Sequence, residues 1–135
     1  MAEVAKSGTP SYSSVVPPQS ATIVGLIAGE AIGANDACYI KAADGMVYKA
    51  TGAANNAAAD VAGFAFTACP AGEAITLVCE GNIRYGSGLT ISAKLYLSGT
   101  VAGGLADAAS TGGLAPIAVA IDATRIRILP SGLFA

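Results

Sequence analysis

The chain contains no histidine and no tryptophan. Without His, neither a Ser–His nor a Cys–His nucleophile pair can be assembled. Zinc loses its usual nitrogen ligand as well, and the three cysteines, Cys38, Cys69 and Cys79, have no Cys-x-x-Cys spacing with which to build a ligand set. They read as small buried hydrophobes in strands, with a Cys69–Cys79 bridge left open. Without Trp, a sugar-stacking platform would rest on Tyr39, Tyr48, Tyr85 and Tyr96.

Charge is scarce too. Charged residues make up 12% of the chain, about half the ~25% of an ordinary soluble domain. A surface that poor in charge is expected where partners cover much of it, so the composition points to assembly. The alternative is a small secreted or lipid-contacting protein with a Ser, Thr and Gly surface. The net charge is −2 and basic clusters are missing, so direct nucleic-acid binding is not expected. No run of about 18 apolar residues is present, so no membrane span is expected. Residues 1–10 carry Glu3 and no apolar stretch, which does not read as a signal peptide.

Chemistry-bearing motifs are equally sparse. Residues 99–113 are glycine-rich but have no Gly-Lys-Ser/Thr, so they are not a phosphate loop. Gly33-Ala34-Asn35-Asp36 lacks the acidic spacing of a calcium loop. Glu30, Asp36 and Asp44 sit in turns, where carboxylates are usually solvated caps. The expectation is a protein that is not an enzyme and has no cofactor.

What is abundant is small. The 135 residues include 30 Ala and 17 Gly, so the core has to be built from Ile, Val, Leu and a few aromatics with Ala between them. The length fits one domain. One pentapeptide occurs twice, Ala28-Gly29-Glu30-Ala31-Ile32 and Ala71-Gly72-Glu73-Ala74-Ile75, each at a change of direction between apolar segments. It reads either as an internal duplication or as one kind of turn used twice.

Residues 1–20 stand apart. Pro10, Pro17 and Pro18 hold the backbone extended and the serines give nothing to bury. We read an extended N-terminal arm in which Tyr12, Val15, Val16, Pro17 and Pro18 are candidates for docking on a partner. The domain proper is expected over 21–135. Thr22–Ile27 is a strand. Ala37–Lys41 and Met46–Ala50 flank Asp44-Gly45 and form a hairpin. Thr51–Asp60 is a loop with room for one helical turn. Strands follow at Val61–Thr67, Ile75–Glu80, Ile83–Tyr85 and Ile91–Leu97, the last with Ile91, Ala93, Leu95 and Leu97 on one face and Ser92, Lys94 and Tyr96 on the other. Residues 98–113 form a glycine-rich loop, with space for a short hairpin at Thr100-Val101. Ile117–Ile121 and Thr124–Leu129 close the domain. In the last strand Arg125 and Arg127 share a face, so they are candidate ligands for carboxylates of a neighbouring chain. Short strands, frequent turns and almost no helix predict an all-β domain, a small compact β-barrel or β-sandwich-like (β-tulip-like) unit.

The segments Ala28–Ile32 with Asn35–Ile40, Asp44–Ala50, Ala62–Ala65, Gly72–Val78, Gly88–Thr90 and Leu95–Ser98 together resemble the capsid decoration (cement) proteins of tailed bacteriophages. The resemblance runs over residues 25–128 and rests on small-residue and turn patterns. It implies a compact β domain that binds the outside of a phage head, commonly as a homotrimer. Such a domain would bridge neighbouring major capsid protein subunits and resist internal DNA pressure, with an arm lying along the capsid. It also implies a virion location on the outer capsid surface after synthesis in the host cytoplasm. The other function in view is a carbohydrate- or cell-surface-binding β module of a phage or bacterium.

Overall fold

The structure is a computed structural model that describes Ala5 and residues 22–129. The expected arm over 1–20, including Tyr12, Val15, Val16, Pro17 and Pro18, lies outside the described residues apart from Ala5.

The domain is all-β. Ten strands run in chain order: β1 (Thr22–Ile27), β2 (Ala37–Ile40), β3 (Val47–Lys49), β4 (Gly63–Ala65), β5 (Ala74–Val78), β6 (Gly81–Arg84), β7 (Lys94–Leu97), β8 (Leu105–Ala106), β9 (Ala118–Ala120) and β10 (Arg125–Ile128). They form two antiparallel five-stranded sheets, ordered β1-β5-β4-β2-β3 and β6-β10-β9-β7-β8. The first half of the chain makes one sheet and the second half makes the other. The crossing is the link from Val78 to Gly81, where Gly81 takes φ +102°, a left-handed conformation that an L side chain resists.

Period-2 patterning explains the layers. Phe64 and Val78 from the first sheet meet Leu95, Leu97, Ala118, Ile126 and Ile128 from the second in one buried cluster. The alternate residues of the first sheet, Cys38, Ala65, Ile75 and Leu77, point the other way and are buried as well, against Ala28, Ile32, Val47 and Cys69. A sheet with both faces buried needs a cover on its far side, and here the sheet itself curls to supply one. The chain just past β1 returns to β3: Ala28 bridges Val47 and the Gly29 N–H donates to the Val47 carbonyl at 2.8 Å. The domain therefore joins a small, nearly closed barrel to a sandwich.

The repeated pentapeptide builds this cover. Ile27 pairs with Ala74 and Ile32 with Cys69, so the first copy runs antiparallel to the second in a single register. The Ala28 N–H donates to the Glu73 carbonyl at 2.9 Å, and the Gly72 N–H to the Ala28 carbonyl at 2.7 Å. Ile32 and Ile75, equivalent positions of the two copies, are buried in the same cluster. Their surroundings otherwise differ. Ala28 is buried and Ala71 exposed, and Glu30 accepts the Lys49 N–H at 2.9 Å while Glu73 lies on the surface.

The Asp44-Gly45 hairpin forms as the sequence predicts, with Tyr39 directly opposite Tyr48. Its turn is longer than two residues. The Lys41 N–H reaches the Met46 carbonyl at 2.9 Å, and Gly45 alone takes positive φ, +72°. Asp44 closes the turn by accepting the Met46 N–H at 2.9 Å and the Tyr48 hydroxyl at 2.6 Å. The expected helical turn is a single 3-10 turn, Ala57–Ala59, capped by Asn56, whose side chain accepts the Ala58 N–H at 2.9 Å.

The strand expected over Ile91–Leu97 is shorter than predicted. It starts at Lys94, because Ser92 takes φ +68° in a turn closed by the Ala93 N–H on the Thr90 carbonyl at 3.1 Å. Ile91 is consequently not on the core face and is 66% exposed. The glycine-rich stretch does hold a hairpin. β8 pairs with β7 around a turn in which buried Ser98 accepts the Thr100 and Val101 N–H groups at 3.2 and 3.0 Å. Its glycines permit close packing. The Gly112 N–H donates to the Gly52 carbonyl at 2.8 Å, and a Cβ on Gly112 would overlap the Ala54 carbonyl.

Candidate functional site

β10 reads Arg-Ile-Arg-Ile and alternates exposed and buried without exception. Ile126 and Ile128 turn into the core, so pleating sends Arg125 and Arg127 to the outer face of the second sheet. The two arginines share a face, as the sequence predicts.

Pairing then adds neighbours that no local pattern could supply. On one side of β10, Arg84 of β6 sits opposite Arg125 and Asn82 opposite Arg127. On the other side, Val119 of β9 lies opposite Arg127, and Lys94 of β7 opposite Val119. A transverse row therefore reads Asn82, Arg127, Val119, Lys94, with Arg84 and Arg125 in the next row. Strand spacing sets Arg84 roughly 5 Å from Arg125 and Lys94 roughly 10 Å from Arg127, measured along the backbone. Tyr96, half-buried, follows Lys94 on the same face of β7.

This face holds four of the chain's seven Lys and Arg. No Asp or Glu occurs on β6, β7, β9 or β10. Two carboxylates border it, Glu80 just before β6 and Asp122 in the β9–β10 turn; Asp122 is bonded to Arg125. Its Oδ1 accepts the N–H groups of Thr124 at 2.9 Å and Arg125 at 2.8 Å, and its Oδ2 takes the Arg125 Nε–H at 2.7 Å. The Thr124 N–H first, and the Arg125 side chain next, hold the Asp122 carboxyl well below the usual carboxylate range. The two candidate arginines thus divide. Arg125 is committed to the turn, whereas no carboxylate among the described residues lies within ion-pair reach of Arg127, Arg84 or Lys94.

Three of the four tyrosines among the described residues are engaged in packing. Tyr85 meets Phe64 edge-on, ring centroids 6.4 Å apart, and burial pushes its hydroxyl pKa up. Tyr39 and Tyr48 lie 6.1 Å apart, with the Lys41 Nζ 5.0 Å from the Tyr48 ring centroid on the hairpin. Gly29 packs directly against the Tyr48 ring. Among the described tyrosines, Tyr96 stands on the open face of the second sheet.

Cys38 and Cys69 are buried thiols and Cys79 is half-buried; none is bridged. Among the described residues no group of three or more His, Cys, Asp or Glu is placed to hold a metal ion. None of their helices is long and apolar enough to cross a membrane. A surface depression beside Gly52, Ser98 and Thr111 is lined by Gly, Ala, Ser and Thr and has no charged group.

Arg84, Asn82 and Lys94 were not candidates from sequence. Alternation in β6 and β7 puts each on a polar face, but only the strand order makes those faces one surface. A search against protein-family models and curated proteins found no match to this chain.

Proposed function

We propose that the chain is a non-enzymatic decoration protein of a tailed-phage head, bound to the outer capsid surface and cementing neighbouring major capsid protein subunits. The observation that carries this reading is the form of its best candidate site. It is an open sheet face of exposed cations, suited to gripping another protein surface. The resemblance of residues 25–128 to cement proteins supplies the partner. The segments that carry it include the β2–β3 hairpin, β4, the paired pentapeptides with β5, and part of β7. In this reading the chain works as a homotrimer, and residues 1–20 extend along the capsid. Multivalent attachment makes individually weak contacts strong.

The test is co-sedimentation with expanded phage heads assembled without the chain, alongside light scattering of the protein alone. A trimer that binds heads, and that loses binding when residues 1–20 are deleted, is the expected result. A monomer at high concentration with no affinity for heads would overturn the reading. The carbohydrate-binding alternative is favoured by Tyr96, which among the described tyrosines stands on an open sheet face. A glycan array on which Tyr96→Ala abolishes binding would select it.

A further inference from the structure

We infer that the outer face of the second sheet is a docking surface for a carboxylate-rich protein surface, with Arg84, Arg127 and Lys94 as the gripping residues. The inference begins from an arrangement that isolated folding does not favour. Arg84 and Arg125 are placed directly opposite each other across β6 and β10, and like charges so paired destabilise a sheet. Asp122 offsets one of these charges through its 2.7 Å contact with Arg125 Nε. Arg84, Arg127 and Lys94 are exposed, and β6, β7, β9 and β10 carry no acid to answer them. Three exposed cations on one sheet face, with no carboxylate of the described residues in ion-pair reach, in a chain of net charge −2, mark a charge segregation that an anionic partner would resolve.

The chemistry of that partner follows from the layout. Arg127 and Lys94 flank Val119, and Tyr96 borders them. An apolar centre with a charged rim is the anatomy of a protein–protein patch. Arginine guanidinium matches carboxylate in a bidentate geometry. A long polyphosphate would want a basic track continuing beyond the patch, and the overall negative charge opposes one. Lys49 lies on β3 of the other sheet, and Lys41, just past β2, is held over Tyr48. The inference rests on the decoration reading for the identity of the partner, an acidic strip of a capsid subunit, but not for the chemistry of the face.

The experiment uses the full chain and two further proteins, the triple variant Arg84→Ser, Lys94→Ser, Arg127→Ser and the control Lys41→Ser, Lys49→Ser. Each is tested on undecorated heads, poly-L-glutamate, a short duplex DNA and phosphatidylserine vesicles. Wild type and control should bind poly-L-glutamate and heads, and the triple variant should bind both roughly tenfold or more weakly, as loss of several charge contacts implies. Wild-type binding should also weaken severalfold between about 50 and about 300 mM NaCl, a measurement that needs no substitution. All three side chains are exposed, so circular dichroism of the triple variant should match wild type. Heads bound equally well by wild type and triple variant would overturn the docking face while the decoration reading stood. Wild type binding poly-L-glutamate through these residues, but not heads, would retain the face and overturn the decoration reading. Tighter binding to DNA or to vesicles than to poly-L-glutamate would overturn the carboxylate assignment.

Discussion

Phe64 is the largest side chain buried almost completely between the sheets, 1% exposed, with the Tyr85 ring against it. In a chain so rich in Ala there is little nearby volume to collapse into a hole. Phe64→Ala should therefore cost about 3–5 kcal/mol, read from urea unfolding midpoints. Cys38 is the other telling residue. Burial first, then Asp36 and Glu30, push its thiol up to about 12. An unfolded thiol titrates near ~8.5. Below that, folded and unfolded chains both hold the proton and Cys38 adds no pH dependence. Above it, the unfolded chain has lost a proton that the folded chain keeps, so stability should fall by about 1.4 kcal/mol per pH unit until the folded pKa is reached. Raised Tyr48 and Tyr85 hydroxyls add to the slope from about pH 10 upward. Urea midpoints between about pH 8 and 10 should fall for wild type and fall less for Cys38→Ala, where Cys79, its thiol also raised by burial, still contributes.

At the scale of the element, the β2–β3 hairpin and the β9–β10 turn use the same device. An aspartate at the bend accepts backbone and side-chain donors together: the Met46 N–H and the Tyr48 hydroxyl for Asp44, and the Thr124 and Arg125 N–H groups, the Thr124 hydroxyl and the Arg125 Nε–H for Asp122. The hairpin adds a conformational requirement, since Gly45 takes φ +72° with open space around it. Gly45→Ala therefore tests backbone conformation alone and should destabilise by about 1–2 kcal/mol, measured by thermal or urea unfolding. Both turns stand out in the sequence because their chemistry is local. Ser92 is the counterexample. Alternation predicts a strand continuing through it, and a positive φ at a non-glycine residue ends that strand. The penalty for an L side chain in that region is small enough for the surrounding packing to outweigh it.

At the scale of the whole molecule, the two sheets divide the labour. The first sheet curls over its own core, buries both faces and carries the paired pentapeptides. The second sheet buries one face and leaves the other to solvent, and the cations collect there. The predictions at this scale are the trimer with its arm-dependent attachment to heads, and the charge- and salt-dependent grip of Arg84, Lys94 and Arg127. They are separable, because deleting residues 1–20 leaves the sheet face intact.

The all-β class, the Asp44-Gly45 hairpin, the turn at Asn35-Asp36 and the shared face of Arg125 and Arg127 were all determined by sequence. Each depends on φ preference or on period-2 alternation within a few residues. Which strands are neighbours was decided by tertiary structure, because hydrogen-bond pairing between distant segments leaves little local signature. That pairing set Arg84 opposite Arg125 and Lys94 in line with Arg127, turning two candidate arginines into a cationic surface. It also decided what the repeated pentapeptide is for. The sequence shows one pentapeptide twice, and the fold runs the copies antiparallel against each other, with Ile32 and Ile75 in one core, so that each covers backbone and apolar surface of the other.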